Sequence, residues 1–187
     1  MVNKEYPAKL ASVNLLFERT MSTDNQKQPL FVEIEQELTS KGFTIANQDQ
    51  TRPWGGFFVI DENQAQQFAD TYFDGISVED LRISGKLSPK ILVVAPEKRL
   101  SWQYHHRRAE IWKVVKGRVG VVTSPTDEES ELKQLEPGAL ITLKQSERHR
   151  LVGLQEWGVL AEIWQHTDAT NPSNEDDIVR VQDDFGR

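Results

Sequence analysis

From residue 87 to residue 165 the apolar positions come in short runs, broken at regular intervals by turn-forming residues. The runs are 87–95, 99–106, 110–116, 118–123, 131–135, 139–144, 149–154 and 158–165. They are punctuated by Pro96, Lys116-Gly117, Ser124-Pro125, Pro137-Gly138, Gly153 and Gly158. Runs this short, rich in β-branched and aromatic residues, predict strands, and eight of them at this spacing predict an antiparallel sandwich or barrel. Upstream the period changes. Leu30, Phe31, Ile34 and Leu38 share one helical face, so 29–41 predicts a helix that Gly42 stops. Trp54 to Ile60 predicts a strand entered through Gly55-Gly56, and Ala65, Phe68, Ala69 and Tyr72 form the stripe of a second helix over 61–73. Residues 1–26 are polar and irregular and are expected to form a mobile arm or a short surface helix. The tail from Asn171 to Arg187 is polar apart from Ile178, Val179 and Val181.

Composition narrows the function classes. The net charge of −7 argues against nucleic acid as a partner, because a basic face is needed to bind it. A small anionic metabolite remains compatible, since a few local cations suffice for one. The chain has no cysteine, so any metal must be held by nitrogen and oxygen donors, and a cytoplasmic setting is expected. No apolar run is long enough for a membrane span. No signal peptide is expected either: Leu10 to Phe17 is broken by Ser12 and Asn14, with Glu18 and Arg19 close behind.

The chemistry concentrates in Leu100-Ser-Trp-Gln-Tyr-His-His-Arg-Arg-Ala-Glu110, which packs Gln103, His105, His106 and Glu110 into eight residues, and in His149 about forty residues later. Side chains alternate across a strand. On that parity Gln103, His105 and Arg107 share one face of 99–107, while Tyr104, His106 and Arg108 take the other. Glu110, Trp112 and Val114 share a face of the next strand, and His149 shares one with Leu151. The apolar company points these faces inward, so Gln103, His105, Glu110 and His149 are expected to converge on one ion. The competing structural reading is a set of hydrogen-bonded core histidines beside a solvated Arg107-Arg108 edge.

These residues resemble the cupin barrels. Their two motifs read G-x5-H-x-H-x3,4-E-x6-G and G-x5-P-x-G-x2-H-x3-N. Here Glu110 is followed after six residues by Gly117, and Gly138 is followed at matching spacing by Lys144, Ser146, His149 and Gly153. More narrowly, the chain is similar to the C-terminal cupin of type II mannose-6-phosphate isomerases, a domain also fused to mannose-1-phosphate guanylyltransferases. That family carries R-P-W-G, then L-S-x-Q-x-H-x-H-R-A-E-H-W, then E-D-D-I-V-R and Y-G-R. This chain has Arg52-Pro-Trp-Gly55, Leu100 to Trp112, Glu175-Asp-Asp-Ile-Val-Arg180 and Phe185-Gly-Arg187. Arg107 stands where the family keeps its second His, and Ile111 stands where it keeps the His after the Glu. The type I enzymes use L-S-x-Q-x-H with both Gln and His on zinc, which supports Gln103 beside His105.

The resemblance implies an all-β cupin jelly roll (a double-stranded β-helix) over 51–187, with a helical N-terminal extension over 1–50 and one inserted helix. It implies a divalent metal, with zinc expected, and aldose–ketose isomerisation of a sugar phosphate through an enediol. Arg52, Lys90, Arg108 and Arg180 are candidate phosphate anchors, and Arg187 joins them if the tail folds back. Trp54 and Trp112 are candidates to line a sugar site, with core packing the more expected role of Trp112. Arg108, His106 and Arg107 are the candidates for a catalytic part, with no base named. Two other functions fit the same residues: a non-catalytic sugar- or sugar-phosphate-binding cupin, and a metal-dependent cupin oxygenase. By analogy with the fold, a homodimer is expected.

Overall fold

The computed structural model describes residues 25–187; the expected arm over 1–26 lies almost wholly outside them. The chain divides into two compact units, 1–37 and 38–187. The described part of the first is the body of a helix, α1 (25–40), whose buried positions include Phe31 and Ile34. Gly42 ends it as expected. With φ at +81° it takes a conformation that side chains resist, and Phe43 N–H reaches back to the Leu38 carbonyl while Gly42 N–H reaches Thr39.

The second unit carries two antiparallel sheets. Its elements in order are β1 (Ile45–Asp49), β2 (Gly55–Ile60), a 3-10 turn (Glu62–Gln64), α2 (Ala65–Tyr72), α3 (Val78–Leu81), β3 (Lys90–Val94), β4 (Trp102–Tyr104), β5 (Arg108–Lys116), β6 (Val119–Ser124), β7 (Lys133–Leu135), β8 (Leu140–Leu143), β9 (Arg148–Gly153), β10 (Gly158–His166) and β11 (Val179–Gln182). One sheet runs β1-β2-β3-β10-β5-β8 and the other β11-β4-β9-β6-β7. From β3 onward the chain passes repeatedly from one sheet to the other, which is the jelly-roll connectivity.

Three elements depart from the sequence expectation. β1 places residues 45–49 of the expected extension in the first sheet, paired with β2. The short α3 and the tail strand β11 are the other additions. β1 and β11 are edge strands with mostly exposed side chains, so neither shows the apolar alternation that marks a half-buried strand.

The two sheets face each other across a core of Trp54, Phe57, Leu92, Val94, Trp112, Val114, Val119, Val121, Leu143, Leu151 and Leu160. Burying a side chain of this size contributes roughly 1.5–3 kcal/mol. The row is also the floor on which the polar site stands, because Glu110 precedes Trp112 by two on β5 and His149 precedes Leu151 by two on β9. Gly55 sets the entry to this core. Its φ is +141°, and a Cβ there would sit 1.9 Å from the Val93 carbonyl oxygen. Only glycine allows β2 to approach β3 so closely, and the approach fixes Trp54 at the edge of the barrel's interior.

A candidate metal and ligand site inside the barrel

Three ligand-type side chains meet between the sheets: His105 from the turn after β4, Glu110 from β5 and His149 from β9. One donor atom of each lies within 4.8 Å of the others, and all three are about 2% exposed. Each imidazole is oriented from behind by a backbone carbonyl. His105 Nδ1–H donates to Asp177 O at 2.6 Å, and His149 Nδ1–H donates to Glu147 O at 3.0 Å. Both Nε2 lone pairs therefore face the cluster.

The electrostatics keep both imidazoles unprotonated. Burial, outweighing the attraction of Glu110, holds His105 down at about 3, and burial likewise lowers His149. Burial alone would raise Glu110, but the Arg108 guanidinium beside it leads the interactions that bring it down to about 2. The cluster is thus a carboxylate between two neutral imidazoles rather than a set of ion pairs. Arg108 satisfies part of it: Nε donates to Glu110 Oε1 at 2.7 Å and Nη2 to His105 Nε2 at 3.0 Å. The other part is left open. Glu110 Oε2 and His149 Nε2 are buried, have no hydrogen-bond partner, and lie 3.5 Å apart. Two buried acceptors facing each other at this distance suit a cation between them. The donor set, two imidazole nitrogens and a carboxylate backed by carbonyls, fits a borderline divalent ion such as zinc.

Gln103 adjoins the group with its amide nitrogen toward His105 Nε2 at 3.4 Å, and its oxygen accepts from Ser101 Oγ at 2.6 Å. Ligation through oxygen calls for a half-turn of the amide, after which Ser101 Oγ accepts from the NH2 group instead.

Strand parity misassigns the two arginines. β4 ends at Tyr104 and β5 begins at Arg108, so 105–107 is a turn and alternation does not run through it. Arg107 points away, to Asn171 Oδ1 at 2.5 Å and to Asp177. Arg108 is the one that enters, with its guanidinium carbon 3.5 Å from the centre of the Trp164 ring. His106 is exposed and lies edge-on to Tyr104, away from the cluster.

Beside the cluster lies a cavity of about 410 Å³ lined by Arg52, Trp54, Lys90, Arg108, Arg180 and Arg187 among others, a size suited to a small ligand. The structure brings the five candidate substrate residues to this one cavity, together with Arg187. Lys90 Nζ sits 3.4 Å from the Trp164 ring centre and 2.5 Å from Glu175 Oε1. Arg180 stands near Arg187 and Arg52; burial and their like charge lower its affinity for its proton. Trp112 lines the cavity while packing in the core, so both of its expected roles meet in one residue.

Glu162 is the residue that sequence reasoning missed. It lies on β10 opposite Trp112, lines the cavity, is 4% exposed, and accepts from the Trp112 indole N–H at 2.9 Å. Burial, reinforced by the Glu110 charge, pushes it up to about 8 despite Lys90 and Arg108. Its signal was present: a lone carboxylate in the apolar run Val159-Leu-Ala-Glu-Ile-Trp164, at the parity of Leu160 and Trp164.

Similarity to known proteins is found at the level of a family and of solved folds. The family model of the C-terminal part of mannose-6-phosphate isomerase matches residues 64–183. No curated protein matches significantly. Among solved structures, a cupin 2 conserved barrel domain protein from Salinispora arenicola is 25% identical with a TM-score of 0.38, over 45% of this chain and 65% of that one. KdgF from a Halomonas species is 14% identical with a TM-score of 0.47, over 70% of this chain and 91% of that one. The lyase DddQ from Ruegeria pomeroyi is 14% identical with a TM-score of 0.39, over 49% and 44%. The chain spans less than two thirds of the length of the Salinispora and Ruegeria proteins.

Proposed function

The chain belongs to the mannose-6-phosphate isomerase C-terminal family, a cupin family, and on that premise we propose that the barrel is a metal-dependent sugar-phosphate isomerase of the mannose-6-phosphate isomerase type. The observation that carries the reading is the orphaned, buried pair of Glu110 Oε2 and His149 Nε2, with two carbonyl-oriented imidazoles around it. His105, Glu110 and His149 would hold the ion, with Gln103 as a fourth ligand. A divalent ion there would polarise a carbonyl and stabilise the oxyanion that develops beside it.

The chain's own residues supply the remaining parts. Arg52, Arg180, Arg187 and Lys90 present positive charge at the cavity for a phosphate. Trp54, at the cavity wall, is the aromatic surface offered to a sugar, while Trp164 is covered by Lys90 and Arg108 and holds those cations in place. Aldose–ketose exchange moves a proton from C2 to C1 through an enediolate. Glu162 is suited to carry that proton, because a carboxyl pushed up to about 8 is a stronger base than an ordinary carboxylate and keeps an ionised fraction at neutral pH to accept it. Its ionised form takes the C2 proton while the C–H electron pair becomes the C1–C2 double bond and the carbonyl π pair moves to O1. The O2 hydroxyl proton then passes to O1 and the carried proton is returned to C1, leaving the carbonyl at C2.

Zinc as the ion, a cytoplasmic setting and a homodimer complete the proposal. The nitrogen and oxygen donor set supports the first and the cysteine-free composition the second. Exposed Leu140 on edge strand β8 and Leu132 beside edge strand β7 support the third. No helix among the described residues is long and apolar enough to cross a membrane. The second reading, a sugar-phosphate binder without turnover, is favoured by Arg107 and Ile111, which remove two of the family's histidines. An oxygenase needs the same His-Glu-His set with open positions for oxygen. Metal analysis tests the shared core: the purified protein should hold close to one divalent ion per chain and His149→Ala should lose it. A protein that takes up no ion on reconstitution would sink the mechanism.

A further inference from the structure

The segment between β10 and β11 is hydrogen-bonded to the site at several points. Asp177 is the centre of the contact. Its two carboxylate oxygens accept the backbone N–H groups of His106 (3.1 Å) and Arg107 (3.0 Å), and Ser173 Oγ donates to Oδ2 at 2.7 Å. Its backbone carbonyl accepts Nδ1–H of His105. Its own N–H is held by Asn174, whose backbone carbonyl and neighbour Ser173 receive Nη1 of Arg108. The residue is 6% exposed although the tail around it is polar and open.

Two functional halves hang on this clamp. Upstream in sequence, the clamped turn carries His105 and Arg108. Downstream, β11 begins two residues after Asp177 and pairs with β4 in the register Val179 to Tyr104 and Arg180 to Gln103. Arg180, one of the cations at the cavity, is therefore placed by a strand whose start Asp177 fixes. Asp177 is absent from the cavity lining and from the ligand cluster. A carboxylate that accepts two backbone N–H groups on a tight turn holds that turn rigidly, since such charge-assisted bonds are about twice as strong as neutral ones.

We propose that Asp177 is a positioning residue that joins the two halves of the site: its carbonyl aims His105 at the ion, and its carboxylate locks the 105–107 turn to the strand that presents Arg180 to the anionic end of the ligand. The inference rests on the reading of the cavity as a metal and sugar-phosphate site. A residue supporting only the histidine would affect only the metal, and one supporting only the tail would affect only the anion. Asp177 affects both while touching neither.

The experiment measures two dissociation constants separately on the full chain: cobalt(II) without sugar, and mannose 6-phosphate on the metal-free protein. Each is measured for wild type, Asp177→Ala and Asp177→Asn at a temperature well below each unfolding midpoint. Asp177→Ala should weaken both by about tenfold or more and shift the cobalt(II) absorption bands, because without the carboxylate's hold on the 105–107 turn the carbonyl that orients His105 is no longer fixed against it. Asp177→Asn, which keeps one acceptor oxygen, should weaken both by less, and it carries the comparison if the alanine variant does not fold. Constants within twofold of wild type, or a loss confined to one of the two ligands, overturn the inference. A wild-type protein that binds neither probe overturns instead the reading of the cavity on which the inference rests.

Discussion

Arg108→Met removes the one Arg or Lys that is paired with Glu110 among the described residues. The guanidinium is 5% exposed and donates to Glu110 Oε1 at 2.7 Å, to Ser173 Oγ at 2.9 Å and to Asn174 O at 3.1 Å. Methionine fills similar space but leaves the carboxylate buried among two neutral imidazoles with no positive charge beside it. Breaking a buried pair from one side costs about 3–5 kcal/mol. For a chain of this size that corresponds to a fall of roughly 10 °C or more in the unfolding midpoint. A divalent ion at the His105, Glu110 and His149 atoms would restore the missing charge. At about a thousand times its dissociation constant it would add ~4 kcal/mol to the folded state. The assay is calorimetric unfolding of wild type and Arg108→Met, with chelator and with excess zinc. The expected pattern is a large deficit with chelator that shrinks sharply with zinc. An equal deficit in both conditions would refute the claim that Arg108 and the ion neutralise the same carboxylate.

The remaining predictions concern pH, the proton carrier and the anchors. In the metal-free protein the buried His105, His149 and His166 all have depressed pKa values, so their unfolded forms bind more protons and their contribution to stability is lost as pH falls from about 6.5 toward 4. Glu162 runs the other way, its contribution being lost as pH rises from about 4.5 to 8. In the window from 4.5 to 6.5 the depressed imidazoles outweigh Glu162, so unfolding takes up protons and stability falls as pH falls, which denaturant titrations across that range will read; a flat profile would contradict the buried neutral imidazoles. Glu162→Gln should leave the unfolding midpoint nearly unchanged, since the amide matches the neutral acid, while lowering kcat by roughly a hundredfold or more. A catalytic rate within threefold of wild type would remove Glu162 from the reaction. Arg180→Gln should raise KM for a sugar phosphate well above its effect on kcat, and an unchanged KM would move the phosphate elsewhere in the cavity.

Much of this site can be read from sequence because strand alternation is a local rule. Glu110, Trp112 and Val114 lie on one face of β5, and His149 and Leu151 on one face of β9, as alternation requires. The rule fails where the strand does. The turn at 105–107 resets the parity of the residues after it, so Arg107 and Arg108 exchange places, and no local pattern in His-His-Arg-Arg marks the break. Glu162 was visible in principle as a carboxylate in an apolar strand, but its meaning depends on Trp112 and Glu110 across the sheet. Asp177 shows the opposite limit. Its partners are the amides of His106 and Arg107, some seventy residues away, and only the folded tail brings them together. Edge strands β1 and β11 escaped for a related reason: exposed edges pair through backbone atoms and leave little trace in side-chain polarity.

The most direct test of the proposed function follows mannose 6-phosphate by proton NMR in D2O with the metal-loaded protein. The mechanism predicts fructose 6-phosphate at a rate that depends on His149 and Glu162, with any deuterium entering at the positions that exchange through the enediol. Unchanged mannose 6-phosphate in the presence of protein shown to hold one ion per chain would contradict it and leave a barrel that binds sugar phosphates without turning them over.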